Sequence, residues 1–366
     1  MVYNKLVGQK SFKWDLKRPK ELLELHKILN LQKIIVPELV EVLEKRYSIL
    51  RTINYNAPIG RRGLANKLGL GERIVRTEVN FLKDQNLIEI STPGMTVTSE
   101  GIKILDDLKW FIHESKGLSQ VEKNVKELLK IRKVIVIPGS VQQDISILPD
   151  LGKAASAYTS KIIKNNDIIA VTGGGAVKEL VDSFNKTQNL QGILVVPARG
   201  GMGRKVETQA NTLAANLAQK LKGSYRMLHL PENVDGEILK SLYQQDDIKE
   251  VIELIQTANI LIYGIGRADK MVLKRGISKE LQEEILDCGA VGEAFGCYFD
   301  KNSNVTSVSA SPGINIKSLK NVREEIAVAG GDNKVEAIIA TLYNNDKAVL
   351  VTDEYAAEKI IEILKK

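Results

Sequence analysis

The feature that most constrains the fold is a series of short apolar runs in the C-terminal two thirds of the chain, separated by helical segments. The runs are VIVIPG (134–139), IIAVTG (168–173), ILVVP (193–197), MLHLP (227–231), NILIYG (259–264), IAVAG (326–330) and AVLVT (348–352). Apolar strands that alternate with helices are typical of a parallel sheet covered on both faces. The sequence therefore predicts a Rossmann-like α/β domain over 134–366.

Glycine-bearing loops follow four of these runs and should meet at the carboxyl edge of the sheet. The loops and the helices that they open contain Gly173, Gly174, Gly175 and Ala176, then Arg199 and Gln209, then Lys274 and Arg275, and finally Lys334. Backbone N–H groups at a helix N-terminus bind phosphate, and so do basic side chains. The pattern predicts a site for a ligand with phosphate groups at more than one position.

Two enzyme classes could use such loops. A nicotinamide dehydrogenase is disfavoured, because 173–177 contains no GxGxxG and the next strand ends in Pro197-Ala198-Arg199 instead of an acidic residue. A sugar-phosphate isomerase or deaminase would need a general base, for which Glu293 is the candidate carboxylate. Tight turns require glycine in any case, so the enzyme and binding-domain alternatives stay open at this point.

The stretch PIGRRGLANKLGLGERIVRTEVNFLKDQ (58–85) follows the pattern of a helix-turn-helix. It predicts a helix over 61–68, a turn at Gly69-Leu70-Gly71 and a second helix over 72–85. Arginine and asparagine on the second helix could pair with base edges in a DNA major groove. The candidate DNA-binding residues are Arg61, Arg62, Arg73, Arg76, Thr77, Asn80 and Lys83.

A hairpin directly after the second helix would be the wing of a winged helix. LIEISTPGMTVT (87–98) predicts it as strand, Pro-Gly turn and strand. Further helices over 20–34 and from Pro37 complete a predicted domain of residues 1–113, with Leu39 and Ile74 among the expected core positions. The alternative is a small helical bundle with a surface hairpin and no role in DNA binding.

The basic excess of the chain lies in its first third. Residues 1–133 contain 25 Lys and Arg against 16 Asp and Glu, whereas the remaining 233 residues contain 27 against 29. A solvated lysine-rich surface would explain this distribution, and so would a polyanionic partner for the N-terminal domain.

Cysteine and histidine are too few to suggest a disulfide framework or a metal site. The two cysteines are Cys288 and Cys297, and the three histidines are far apart in sequence. No run of eighteen apolar residues is present, and the first residues, MVYNKLVGQKSFKW, lack the apolar region expected of a secretory signal. We expect a protein of the reducing cytoplasm with no cofactor, no metal and no membrane partner.

Residues 114–133 are predicted to be a helical connector. An apolar stripe, Leu118, Val121, Val125, Leu128, Leu129 and Ile131, recurs there at near-heptad spacing. It could pack under the next domain or contact a second subunit, and the subunit contact is slightly favoured, because symmetric DNA readers need one.

Several strings together resemble the SorC family of sugar-responsive regulators, in particular its branch that controls glycolytic genes. They are VPARGGMGRKVETQANTLAANLA, VTGGG, GIGRADKM, AVGEAFGCYF, IAVAGGDNKVEAI and AVLVTDEYAAEKII. The resemblance covers essentially the whole chain. It implies an effector domain resembling the glucosamine-phosphate deaminase and ribose-phosphate isomerase fold, no enzyme activity, and a homo-oligomer (dimer or tetramer) that binds operator DNA. It also implies repression of a glycolytic operon that fructose 1,6-bisphosphate relieves.

The resemblance also implies ligand contacts for residues already singled out. Arg199, the pair Lys274 and Arg275, and Lys334 would hold phosphates, while Gln209 and Glu293 would bond sugar hydroxyls. The alternative role for Glu293 is a salt bridge at a strand end. The glycolytic branch usually carries hydroxyl residues where this chain has Gly175-Ala176, so a different sugar phosphate is the alternative effector.

Overall fold

The structure is a computed structural model that describes residues 31–32, 34–184, 190–201, 205–230, 241–242, 245–308 and 313–365. The chain divides into two compact units, Met1–Lys116 and Gly117–Lys366. The segment 114–133, predicted as a separate connector, is thus split between the units. The helix predicted over 20–34 lies almost entirely outside the described residues.

The first unit contains a helix-turn-helix followed by a wing, as predicted. Its elements are α1 (Pro37–Asn56), α2 (Arg61–Leu68), α3 (Glu72–Asp84), β1 (Ile88–Ser91), β2 (Gly94–Val97) and α4 (Ser99–Ser115). Gly69 ends α2 in the left-handed conformation (φ 62°), and its N–H bonds the Ala65 carbonyl. This conformation allows the sharp turn into α3.

The core of the first unit forms where α1, α2 and α3 converge. Val75 and Val79, one helical turn apart on α3, are fully buried with Leu64. Two expected core positions are wrong, because Leu39 is 62% exposed and Ile74 is 45% exposed. Ile74 lies next to Val75 in sequence, and adjacent helical residues point about 100° apart.

The second unit is an α/β domain with a larger set of strands than the sequence predicts. Its strands are β3 (Lys133–Ile137), β4 (Ile168–Val171), β5 (Leu194–Pro197), β6 (Ser224–Tyr225), β7 (Ile260–Arg267), β8 (Ala290–Ala294), β9 (Cys297–Asp300), β10 (Val305–Val308), β11 (Glu324–Val328) and β12 (Ala348–Asp353). Its helices are α5 (Leu118–Leu129), α6 (Leu148–Ile162), α7 (Gly175–Asp182), α8 (Ala210–Leu221), α9 (Asp246–Gln256), α10 (Ala268–Lys274), α11 (Lys279–Asp287), α12 (Val335–Leu342) and α13 (Glu354–Leu364).

A parallel sheet in the order β6-β5-β4-β7-β11-β12-β3 forms the centre of this unit. Its strands are buried on both faces: Leu261 and Tyr263 join one apolar cluster, whereas Ile260 and Ile262 join the other. The predicted Rossmann-like sheet with helices on both sides is therefore confirmed.

Strand β7 is longer than its neighbours and connects the parallel sheet to an antiparallel extension. Its first half pairs with β4 and β11, and Ile265–Arg267 pairs antiparallel with β8, which continues into β9 and β10. The sequence did not predict this extension. The predicted strand at 227–231 is wrong, because the edge strand lies at Ser224–Tyr225 and no strand forms over 226–230.

Helix α5 packs under the parallel sheet. Leu118, Val125 and Leu129 are fully buried in the core of the second unit. The slight preference for a subunit contact along this stripe is therefore wrong, because these side chains are already covered by their own domain. Among the described residues, no helix has the length and apolar character needed to cross a membrane.

Candidate functional site

A cavity of about 290 Å³ lies at the carboxyl edge of the parallel sheet, where the loops after β4, β5 and β11 meet the end of β7. The structure brings together all ten residues that the sequence predicts to hold an effector. Those that line the cavity are Gly173, Gly174, Gly175, Ala176, Arg199, Gln209, Lys274, Arg275, Glu293 and Lys334. Their contacts with a ligand remain predictions.

The glycine loop after β4 places the N-terminus of α7 at the cavity wall. Gly174 has φ 119°, a conformation that favours glycine, and no side chain caps the helix. The Gly174 N–H donates to the Thr208 carbonyl at 2.9 Å, and a Cβ on Gly173 would lie 2.6 Å from the same oxygen. The first turn of α7 can therefore offer its N–H groups to an anion, assisted by the helix dipole.

A buried ion pair forms one wall of the cavity. Nη2 of Arg275 lies 2.5 Å from Oε1 of Glu293, and the N–H of Gly296 donates to the same oxygen at 2.6 Å. Arg275 is 6% exposed and Glu293 is 3% exposed. The alternative role for Glu293, a salt bridge at a strand end, is present in the structure, and it fixes the Arg275 guanidinium against the cavity.

Arg199 is the second buried guanidinium of this wall. Its Nη1 donates to the Phe295 carbonyl oxygen. A Cβ on Gly296 would lie 0.8 Å from Nη1, so only glycine allows this approach. Burial, together with the charge of Arg275, lowers the pKa of Arg199 to about 10. The group still carries its positive charge at neutral pH.

The remaining charges of the cavity come from the end of β7, from α10 and from the loop after β11. Burial, with repulsion from Lys274, lowers the pKa of the Lys334 ammonium. Among the described residues that line the cavity, six side chains are cationic and one, Glu293, is a carboxylate; the cations are Arg199, Arg267, Lys270, Lys274, Arg275 and Lys334. Like charges gathered at one partly buried place favour a ligand with several negative charges.

Other polar residues at this edge were not predicted. Thr172, Thr208 and Asn333 line the cavity. Asp353 positions the loop after β11, because its carboxylate accepts the Gly331 N–H at 2.8 Å and the Val141 N–H at 2.7 Å. A carboxylate that directly follows the run AVLVT was the sequence signal that could have identified it.

The candidate DNA-binding residues lie together on the first unit, as their spacing predicts. All seven (Arg61, Arg62, Arg73, Arg76, Thr77, Asn80 and Lys83) are exposed on α2 and α3. Nη2 of Arg61 lies 3.5 Å from Oδ1 of Asn80, so the two helices present one polar surface. No group of three acidic, histidine or cysteine side chains suited to a metal occurs among the described residues.

A winged helix-turn-helix combined with an α/β domain whose cavity is lined by cationic side chains is typical of a ligand-responsive transcription regulator. Two family models match the chain: a DNA-binding domain named for the CggR N-terminus over residues 42–112 and a sugar-binding domain over 113–362. The chain belongs to the SorC family of sugar-responsive transcriptional regulators.

Among its relatives, the chain is 38% identical over 337 residues to the central glycolytic genes regulator of Bacillus subtilis, which covers 92% of this chain and 99% of that protein. It is 37% identical over 338 residues to the protein of that name from Priestia megaterium, again covering 92% and 99%.

Solved structures agree with this assignment. A SorC family regulator from Enterococcus faecalis matches with a TM-score of 0.62 and 34% identity, over 66% of this chain and 99% of that one. The full-length sorbitol operon regulator of Klebsiella pneumoniae shares the fold with a TM-score of 0.60 at 16% identity, over 92% and 99%. With a DNA-binding family model, a sugar-binding family model and two regulators above 30% identity, the chain is a transcription regulator and not an isomerase or deaminase.

Proposed function

We propose that this protein is a cytoplasmic repressor of a glycolytic operon and that fructose 1,6-bisphosphate bound in the cavity weakens its hold on operator DNA. The observation that carries the proposal is the gathering of six cationic side chains and an uncapped helix N-terminus around one cavity. A sugar with phosphates at both ends would use both features, and the 38% identity to a glycolytic regulator supports the choice.

The phosphates would occupy the two ends of the cavity. One would accept hydrogen bonds from the first turn of α7, where Gly175 and Ala176 supply backbone donors only. The other would lie between Lys274 and Lys334, whose mutual repulsion it would relieve. Arg199 and Arg275 would hold phosphate oxygens, and Gln209 would bond a sugar hydroxyl.

A different sugar phosphate is the second candidate effector, favoured by one observation. Gly175 and Ala176 have no hydroxyl groups. A phosphate at α7 therefore has up to two fewer side-chain donors than it would have if both positions carried hydroxyl residues. Hydrogen bonds to a charged group contribute about 1.5–3 kcal/mol each. A ligand with a single phosphate held by the lysines would lose less from this change.

The regulator would act as a homo-oligomer, either a dimer or a tetramer, that binds two half-sites of operator DNA. Helix α3 would enter the major groove and the β1–β2 hairpin would lie beside it. Effector and DNA would favour different arrangements of the subunits, which is the condition for allosteric coupling.

The test is fluorescence anisotropy of a labelled operator duplex, titrated with the full protein in the presence of fructose 1,6-bisphosphate or of fructose 6-phosphate. We expect the bisphosphate at millimolar concentration or below to weaken binding or its cooperativity. A response to the monophosphate alone would identify the second candidate effector. Failure to bind any duplex specifically would overturn the proposed function.

A further inference from the structure

The recognition helix α3 carries carboxylates as well as cations, although it would face a polyanion. Glu72 and Glu78 both lie on this helix, together with the candidate DNA contacts Arg73 and Arg76. Each glutamate is paired with an arginine from another helix: Glu72 with Arg62 at 3.3 Å, and Glu78 with Arg46 at 2.8 Å. The pairing with Arg46 is the better enclosed, because the Glu78 side chain is only 11% exposed.

Arg46 holds α3 through two contacts. Its Nε donates to Oε2 of Glu78, and its guanidinium carbon lies 3.5 Å from the centre of the Phe81 ring. Glu78 and Phe81 are three residues apart and therefore share one flank of α3. A guanidinium that is stacked on a ring while bonded to a carboxylate has little freedom to rotate.

This flank lies between the buried and the exposed faces of α3. Val75 and Val79 are turned toward the core, whereas Thr77 and Asn80 are exposed. Arg46 on helix α1 therefore contacts α3 at a position where it can restrain rotation of α3 about its own axis. It also compensates a carboxylate that would otherwise repel DNA phosphates.

We propose that Arg46 is a positioning residue for DNA recognition, which orients α3 and neutralises Glu78 without itself touching DNA. The inference rests on the proposed function, in which α3 reads the operator. Without Arg46, the buried Glu78 carboxylate would lose its partner and turn toward solvent and the DNA backbone. An unpaired, partly buried charge is costly, so α3 would shift from its reading position.

The test uses the full-length protein and a fluorescein-labelled duplex that the wild-type protein enriches from a randomised library. A scrambled duplex measures non-specific binding, and thermal unfolding monitors the fold. Lys109→Gln is the matched control, since Lys109 makes an exposed ion pair with Asp106 on α4 of the same unit. It should leave DNA affinity unchanged.

We expect Arg46→Gln to weaken binding to the enriched duplex by about tenfold, with a smaller loss on the scrambled duplex. Glu78→Gln should bind at least as well as wild type, and the double variant Arg46→Gln/Glu78→Gln should recover most of the loss, with the wild-type salt dependence. Arg46→Lys keeps the charge but not the planar stack, so it should fall between wild type and Arg46→Gln. It also remains measurable if Arg46→Gln unfolds.

Two results would overturn the inference while leaving the proposed function intact. One is wild-type affinity in Arg46→Gln. The other is a double variant as weak as Arg46→Gln, with the slope of log affinity against log salt reduced by about one, which would mean that Arg46 contacts a phosphate directly. If the wild-type protein enriches no duplex at all, the proposed function fails as well.

Discussion

Lys334 is the single residue whose replacement best separates effector binding from DNA binding. It lies in the loop after β11 in the second unit, where it is half-buried and lines the cavity. Lys334→Met removes the charge and retains the aliphatic stem. We expect the effector affinity to fall by about tenfold or more, since a bond to a charged group contributes about 1.5–3 kcal/mol. Calorimetry measures that loss, and anisotropy should show unchanged effector-free DNA binding. Loss of both would assign Lys334 a structural role.

The lowered pKa of Lys334 predicts that effector binding takes up protons at alkaline pH. Burial and Lys274 disfavour the ammonium in the free protein, so it loses its proton at a lower pH than an exposed lysine does. A bound phosphate favours the ammonium and raises the pKa again. Affinity should therefore decline as pH rises through the lowered pKa. Calorimetry in two buffers of different ionisation enthalpy counts the protons, and Lys334→Met should reduce the uptake, leaving the part that Arg199 contributes through its own lowered pKa; equal heats for the wild type in both buffers would contradict the prediction.

Gly296 is expected to tolerate no side chain, for two separable reasons. Its φ of 88° strains any other residue, and a Cβ would overlap the Arg199 guanidinium. Gly296→Ala should lower the free energy of unfolding by about 1–3 kcal/mol from strain alone and should also displace Arg199 and weaken effector binding. Gly289→Ala is the control, because Gly289 has φ 79° with open space around it. Denaturant unfolding should show the loss of stability from strain in both variants. Calorimetry should show weaker effector binding in Gly296→Ala only.

At the scale of elements, helix α3 should carry the sequence specificity. Arg73→Ala/Arg76→Ala removes two exposed side chains from it and should cost about 1–3 kcal/mol of operator binding per lost base contact. Lys103→Ala, which removes an exposed cation from α4, is the control for net charge. Anisotropy with operator and scrambled duplexes measures both affinities. Unchanged operator affinity in the double variant would remove α3 from the recognition role.

Elements whose conformation depends on residues next to them in sequence were predictable. Strands that form by pairing with segments far away in sequence were not. The turn at Gly69 and the hairpin at 88–97 depend on residues next to them, and both were found. The strand predicted at 227–231 failed, because a short apolar run resembles a strand whether or not a neighbour pairs with it. Strands β8 to β10 were missed, since Gly292 interrupts β8, and the extension depends on pairing of β8 with the distant end of β7 and of β9 and β10 with the strand before each of them.

The candidate site was predicted for a related reason. Glycine and basic residues that follow parallel strands meet at one edge wherever the strands lie in the sheet, so all ten predicted residues reached one cavity. What the sequence could not give was the partner of each side chain. The pairing of Arg275 with Glu293, and the insertion of Arg199 against Gly296, depend on how the antiparallel extension folds over the cavity.

At the scale of the whole molecule, the N-terminal and C-terminal parts of the chain differ in net charge. The basic excess lies in residues 1–133, whereas the remaining residues carry slightly more acidic than basic side chains. The cavity of the second unit gathers its own cations locally, although that unit has no basic excess. On the proposed function, effector and DNA would influence each other through a change of conformation or assembly that both of them bias.

That requirement leads to a prediction for the full-length protein. If the effector weakens operator binding by a given factor, saturating operator DNA must weaken effector binding by the same factor, because the coupling free energy is reciprocal. The two factors can be measured independently, by anisotropy with and without fructose 1,6-bisphosphate and by calorimetry with and without operator duplex. Scrambled duplex should leave effector affinity nearly unchanged, and Lys334→Met should weaken effector binding without altering effector-free DNA affinity. A bisphosphate that binds equally well with and without operator would show that its site is not coupled to DNA recognition, and the cavity would then require a different role.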